Sequence, residues 1–380
     1  MKAIVVGGGI GGLSAAVALR RVGVEAVVFE RAADLREVGA GISLWSNAMH
    51  ALRGLGLEDA VRALGTEEIG GTVRTSDGAV ISKIPADVLE RRFGVNVVLT
   101  RPDLLAVLLA ALERDGGEPV RLGFECSGFG QNGTGVVATF AGGHEERGNL
   151  LVGADGLHSG IRSRLLGDGP PDYAGFTAWR GLAELGGDTE HGGSEAWGRG
   201  QIFGLVGLGG GRFYWYATKN APEGQPDAPG GRKAELLERF GGWREPVPSV
   251  IRTTDEGRIL RHDVYHREPA RRWGEGRVTL LGDAAHPMTP NLGQGACQAI
   301  EDAASLAECV REEEDIEAAL RLYEERRRGR TALISRRSRL MSRAAQLENP
   351  LLCRLRNAAV GRMPLRLQLR QLEPILRPGA

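Results

Sequence analysis

Cysteine is scarce in this chain: Cys126, Cys297, Cys309 and Cys353 are the four in 380 residues, and no two stand at a metal-ligand spacing. That excludes a disulfide scaffold and a structural zinc site, so reduced thiols and no metal are expected. Long apolar runs are also missing. Stretches such as Leu104 to Leu112 are too short to cross a bilayer. A first strand opening at residue 2 leaves no room for a leader, and a cytoplasmic location is expected. There is no internal repeat and no low-complexity segment beyond the Gly- and Pro-rich loop 220–231. Net charge is zero, with 42% hydrophobic and 25% charged residues, as in a globular protein with a large core.

The neutral total hides an asymmetry. From Arg321 to Arg377 there are fifteen arginines, no lysine and four acids (Glu324, Glu325, Glu348 and Glu373), an excess of eleven positive charges. A basic segment can serve nucleic acid or an anionic membrane. No aromatic stacking set accompanies the arginines, so nucleic acid has little support and is not the expected partner. A helical face that complements the acidic body is favoured over membrane contact.

The first thirty residues are the most informative. Lys2 to Val6 is β-branched and apolar, Gly7, Gly9 and Gly12 follow, and an apolar-periodic helix starts within the glycine run. Gly7 suits a tight turn, Gly9 lets backbone approach a pyrophosphate, and Gly12 lets the helix pack on the strand. A second strand from Glu25 ends at Glu30, an acid placed to hold a ribose hydroxyl, with Arg31 beside it. Strand, glycine turn, helix and terminal acid in that order predict a bound dinucleotide.

Beyond it the pattern predicts a short helix near 47–55 and a hairpin over 69–85. A helix capped by Thr100 follows, then strands near 119–122, 134–140 and 148–153. Residues 173–268 carry short aromatic strands (176–182, 201–206 and 212–217), which suit an antiparallel sheet. The α/β pattern returns with a strand at 277–281 and a helix at 294–310. The rest is helical, with Pro350, Pro364 and Pro374 as breakers. The expected organisation has a discontinuous nucleotide domain at 1–68, 99–172 and 269–330. A second domain holds 69–98 and 173–268, and C-terminal helices occupy 331–380.

Two further motifs add chemistry. Leu150 to Gly153 leads into Asp155-Gly156, an acid at the carboxyl end of a strand, where α/β sheets open their ligand crevice. Capping of the following helix is the alternative reading of Asp155. Gly276 to Asp302 contains a buried strand, Gly282-Asp283, His286, a loop with Pro290, Gly293 and Gly295, and a helix whose N-terminus points back at the site.

Taken together, the glycine triad, Asp155-Gly156 and Gly282-Asp283 resemble the single-component FAD-dependent aromatic hydroxylases, similar to para-hydroxybenzoate hydroxylase. The resemblance covers residues 1 to about 330. The Pro-Asn-Leu-Gly-Gln-Gly run is closest to the branch with zeaxanthin epoxidase and FAD-dependent urate hydroxylase. It implies an α/β fold, in which a Rossmann-like FAD-binding domain is split by an antiparallel-sheet substrate domain and followed by a C-terminal helical segment.

The resemblance also implies that Gly7, Gly9 and Gly12 contact the FAD pyrophosphate and Glu30 the ribose. Arg101 reaches the diphosphate–ribityl region, and Asp155 serves FAD and the nicotinamide cofactor. Asp283 holds ribityl hydroxyls, while Pro290 and the backbone of Gly293 to Gly295 border the isoalloxazine. NADPH or NADH is then a transient co-substrate, O₂ forms a C4a-hydroperoxyflavin, and one oxygen passes to an aromatic or polycyclic small molecule. Monomer and homodimer both remain open.

Residues for substrate chemistry are fewer. His286 is a candidate base, Arg180 an anchor for an anionic substrate, and Tyr216 shares a strand face with Tyr214. Where urate-hydroxylating relatives carry an acid after the loop proline, this chain has Asn291, which cannot act as a base. That disfavours urate. It leaves an acidic phenol or enol, an epoxidation, a hydride-transferring flavin oxidoreductase, or a non-catalytic flavin-binding scaffold. A flavin halogenase is excluded: its tryptophan run is missing, and none of the four lysines is a candidate.

Overall fold

The structure, a computed structural model, describes residues 1–35, 41–67, 70–114, 116, 118–186 and 193–377. The β-branched strand Lys2–Val6 lies at the centre of a five-stranded parallel sheet. The order is Val278–Leu280, Leu150–Gly153, Lys2–Val6, Glu25–Glu30 and Val120–Leu122. The first four of these are buried on both faces, as continuous apolar runs in parallel sheets require, and Val120–Leu122 is a half-exposed edge. Helix Ile10–Arg21 packs against both Gly295–Glu312 and Arg101–Glu113 in this part of the molecule. Thr100 caps Arg101–Glu113, accepting the Asp103 N–H.

The chain turns one way from the central strand to Glu25–Glu30, and later returns on the other side at Leu150–Gly153. This reversal creates a crevice at the carboxyl ends of the two neighbouring strands, where Gly7 and Asp155 emerge.

The middle of the chain forms a seven-stranded sheet. Its order is Leu260–His266, Asp172–Glu184, Arg212–Asn220, Gln201–Gly207, Gly193–Trp197, Gly71–Thr75 and Val80–Ile84. The sheet is antiparallel as expected except at one pair, Gly193–Trp197 with Gly71–Thr75, which runs parallel. The expected hairpin is thus its far edge; residue 69 lies outside the described residues. Alternation divides the sheet faces. Trp179, Phe203, Phe213, Trp215 and Ala217 turn to helices Arg232–Phe240 and Val247–Thr253 and form a second core. Arg180, Tyr214 and Tyr216 turn to the opposite face.

Helix Ile316–Ala345 runs for 30 residues without a break across position 330, and is followed by Pro350–Gly361 and Leu365–Leu376. Pro350 and Pro364 stand at helix starts. Pro374 is a correction to the sequence reading: it lies inside the last helix rather than ending it. Near a helix end it costs few intrahelical bonds, and the ring is tolerated there.

The long helix is tied to the parallel-sheet unit by buried charge. Gln298, Glu301 and Asp302 lie inward at helical spacing on Gly295–Glu312. Arg327 from the long helix donates to Asp302 Oδ1 (2.7 Å), Glu301 Oε2 (2.6 Å) and Gln298 Oε1 (2.7 Å). Arg330 adds bonds to Glu301 and to the carbonyls of Pro374 and Ile375. The other Asp302 oxygen accepts the Gly282 N–H (3.1 Å) and faces His286 Nε2 at 2.5 Å. Burial pushes the Asp302 carboxyl upward, but the charges and hydrogen bonds of His286 and Arg327 prevail and hold it at about 2.

Replacing Asp302 by Asn should cost about 3–5 kcal/mol of unfolding free energy in urea titrations, because Arg327 loses a buried partner. With its carboxyl held at about 2 instead of 3.8, Asp302 contributes fully above about pH 4. Its share is lost as pH falls toward 2. The variant should therefore show a shallower acid-side loss of stability than the parent.

Candidate active site

A cleft of about 610 Å³ opens at the topological reversal and collects residues from all three sequence motifs. Gly7, Gly9, Glu30, Arg31, Arg101, Asp155, Asp283 and Gly295 line it, so most of the expected cofactor contacts converge on one space. The glycines have separable roles. Gly7 has φ of +112°, and a Cβ there would come within 2.3 Å of the Ala154 carbonyl oxygen. A Cβ on Gly12 would sit 1.9 Å from the Gly7 oxygen, so Gly12 serves helix–turn packing and is not on the cleft wall. A Cβ on Gly9 meets nothing within 4 Å: it would project into the cleft.

Glu30 is anchored by two backbone donors, Gly8 N–H at 2.6 Å and Ala32 N–H at 2.9 Å. The fixed carboxylate keeps lone pairs for a ligand hydroxyl. Asp155 unites the two readings the sequence left open. It lines the cleft, and it accepts from the Ser159 hydroxyl and the Ile161 N–H at the start of helix Gly160–Leu166. Burial raises its carboxyl, against the pull of those donors. Asp283 opens onto the cleft but is crowded by protein, which raises its carboxyl; His286 and Arg101 oppose the rise.

Arg162, to which the sequence reading gave no role, joins two of the motifs. Its buried guanidinium donates to the Ala284 and Ala285 carbonyls at 3.0 and 2.8 Å and pairs with Asp168 at 2.6 Å. It therefore holds the Asp283 turn against the helix that follows Asp155.

Three expected residues lie elsewhere. His286 is buried with Nε2 on Asp302 and its ring against Trp273, behind the cleft rather than in it. Pro290 and Gly293 belong to a 3₁₀ turn and its left-handed end; neither lines the cleft.

Arg180 and Tyr214 lie on the other face of the large sheet, where Tyr214 packs beside Val98, Val206 and Leu208. Burial raises the Tyr214 hydroxyl, and Arg180 and Arg101 both pull it down. Burial depresses His262, and Arg180, Arg232 and Arg101 add to it. Arg101 of the cleft and Arg180 of the sheet thus act on shared neighbours.

On the same face Tyr216 lies across Gly204, where a Cβ would collide with its ring at 2.0 Å. Its hydroxyl donates to Glu195 Oε2 at 2.5 Å, and Trp197 Nε1 donates to the other oxygen. Burial raises the Glu195 carboxyl, opposed by Trp197, Tyr216 and Arg356. No sequence motif marks Glu195. Cross-strand register alone brings it there: Glu195 stands opposite Gly204, and Gly204 opposite Tyr216.

A sequence profile described as "FAD binding domain" matches residues 1–170 and 253–338. The chain is 43% identical over 357 residues to aurachin C monooxygenase/isomerase of Stigmatella aurantiaca, covering 94% of this chain and 92% of that protein. It is 36% identical to FAD-dependent urate hydroxylase of Klebsiella pneumoniae subsp. pneumoniae, over 86% of both proteins. The structure of Klebsiella pneumoniae HpxO complexed with FAD and uric acid superposes with a TM-score of 0.91 and 31% identity. That match covers 100% of this chain and 97% of HpxO. The chain belongs to the FAD-binding family of flavin-dependent aromatic hydroxylases, and it is an FAD-dependent monooxygenase.

The residues fit the cofactor, since the side-chain-free wall at Gly9 and the helix N-terminus at Gly295 both face the cleft. Gly9→Ala should weaken FAD binding at least about tenfold in flavin-fluorescence titrations. The apoprotein melt should change by less than about 1 kcal/mol, since the new methyl enters open space. Gly12→Ala should lose both stability and FAD.

Proposed function

We propose that the protein takes reducing equivalents from NADH or NADPH and hydroxylates an aromatic or polycyclic small molecule that carries an acidic phenol or enol. FAD, when bound in the cleft, supplies the activation of O₂. The chain's own residues supply binding, orientation and proton handling. Gly7, Gly9, Glu30 and Arg101 would hold the cofactor's phosphate and sugar, and Asp155 and Asp283 the groups nearer its ring.

The observation that carries this reading is the Tyr216–Glu195 pair. Hydroxylation by electrophilic oxygen is helped when the substrate hydroxyl gives up its proton, and the sequence offers no base in the flavin loop. Glu195 fills that role from the sheet. A carboxylate with raised proton affinity, hydrogen-bonded to a tyrosine hydroxyl, can take that proton as Tyr216 takes one from substrate. The substrate O–H breaks, the substrate oxygen keeps the electron pair, and Glu195 ends protonated. Arg180, cross-strand from Tyr216, would stabilise the resulting anion.

Asn291 contributes differently. Its Oδ1 is buried with no hydrogen-bond partner among the described residues, an acceptor suited to a substrate donor. The base on the sheet also weakens the scaffold alternative, whose support is the lack of one in the sequence.

Two experiments test the proposal. Anaerobic stopped-flow reduction of the FAD-loaded protein by NADPH should accelerate with one class in a panel of phenols, quinones and polycyclic enols. Reduction that ignores every compound would contradict a substrate-gated hydroxylase. Glu195→Gln should leave the FAD dissociation constant unchanged and lower kcat for hydroxylation by about 10²-fold. It should also remove the acid limb of the pH–rate profile, with Glu195→Asp recovering part of the rate. An unchanged profile would remove Glu195 from proton transfer.

A further inference from the structure

The C-terminal helices carry an amphipathic surface whose polarity is reversed relative to the core. Helix Pro350–Gly361 buries only Cys353 and Arg356. Arg356 turns inward, stacking over Trp197 and donating to the Ala345 carbonyl at 2.8 Å. Leu351, Leu352 and Leu355 turn outward, at 65%, 47% and 65% exposure. A helix that hides an arginine and displays three leucines is not packed for water.

The neighbourhood repeats the pattern. Among the described residues twelve large hydrophobic side chains are exposed, and eight of them fall between Leu333 and Leu367. Val80, another of the twelve, lies on the strand against which helix Pro350–Gly361 packs.

Charge accompanies the leucines. Arg336, Arg343, Arg354, Arg362, Arg366 and Arg370 are exposed. None of the six makes an ion pair with a described residue, whereas nearby Arg339 and Arg377 do. Arg326, Arg327, Arg330 and Arg339 complement acids of the body, the role favoured by the sequence, whereas these six do not. Exposed leucines interleaved with uncompensated arginines match an interfacial helix, whose apolar side chains enter the acyl boundary while cations meet anionic headgroups.

We propose that helices Pro350–Gly361 and Leu365–Leu376, with the end of Ile316–Ala345, form a docking surface for an anionic lipid bilayer. The helices lie on the bilayer, and no helix among the described residues is long and apolar enough to cross it. The surface does not depend on the catalytic reading: Leu351, Leu352, Leu355 and the six arginines lie outside the cleft.

The test is cosedimentation of the full-length, FAD-loaded protein with vesicles of phosphatidylcholine containing about one-quarter phosphatidylglycerol, against phosphatidylcholine alone. Partitioning should be at least about tenfold stronger on the anionic vesicles and fall with added salt. Changing Leu351, Leu352 and Leu355 together to Gln should lower it at least about tenfold, with flavin content and melting temperature retained. Changing Arg354, Arg362 and Arg366 to Gln should lower it and flatten the salt dependence. Equal partitioning to both vesicles, or none, would overturn the proposal. So would a concentration-dependent dimer abolished by the leucine changes, which would make the face a contact between copies of this chain.

Discussion

Asp302 is the point on which the architecture turns. One fully buried carboxylate accepts the Gly282 amide, meets His286 and pairs with Arg327. Through the first it fixes the turn that carries Asp283, and through the last it fixes a 30-residue helix to the parallel-sheet unit. Buried charges are costly unless fully paired, and this cluster meets that condition through Glu301, Gln298, Asn47 and Arg330. Arg330 extends it to the carbonyls of the last helix. The FAD loop and the C-terminal helices are therefore parts of one hydrogen-bonded unit.

Against that fixed frame the cleft and the large sheet divide the work. The cleft is lined by eight glycines together with Glu30, Arg101, Asp155 and Asp283, a set suited to phosphate and sugar. The sheet offers the opposite character on its other face: Arg180, Tyr214, Tyr216 and Glu195, placed on three strands by alternation and cross-strand register. In flavin chemistry the cofactor carries the redox step, and protein groups are needed mainly for position and protons. The division seen here matches that need.

Much of this was legible in the sequence, for local reasons. Gly7, Gly12, Asp155 and Asp283 act through φ angles, close approaches and strand ends that a short stretch determines, and the parallel sheet follows from β-branched runs. The sheet faces followed from alternation at Phe213 to Ala217. What was not legible depends on distant pairing. His286 looked like a base because it follows Asp283, but only the fold reveals Asp302 behind it, sixteen residues along. Glu195 sits in a short, glycine-flanked strand with no apolar pattern, and a tyrosine 21 residues away gives it meaning. Composition located the arginines after Arg321; it could not show that Arg356 turns inward while leucines turn outward.

The step on which this function rests is oxygen transfer to a substrate held on the sheet face. The most direct measurement is turnover with NADPH under isotopically labelled O₂, using the compound that accelerates flavin reduction, followed by mass spectrometry of the product. Oxygen transfer should leave one labelled oxygen atom in each product molecule, and Glu195→Gln should yield about 10²-fold less labelled product with NADPH still consumed. A product without label, or full recovery of the reducing equivalents as hydrogen peroxide in the parent enzyme, would contradict it.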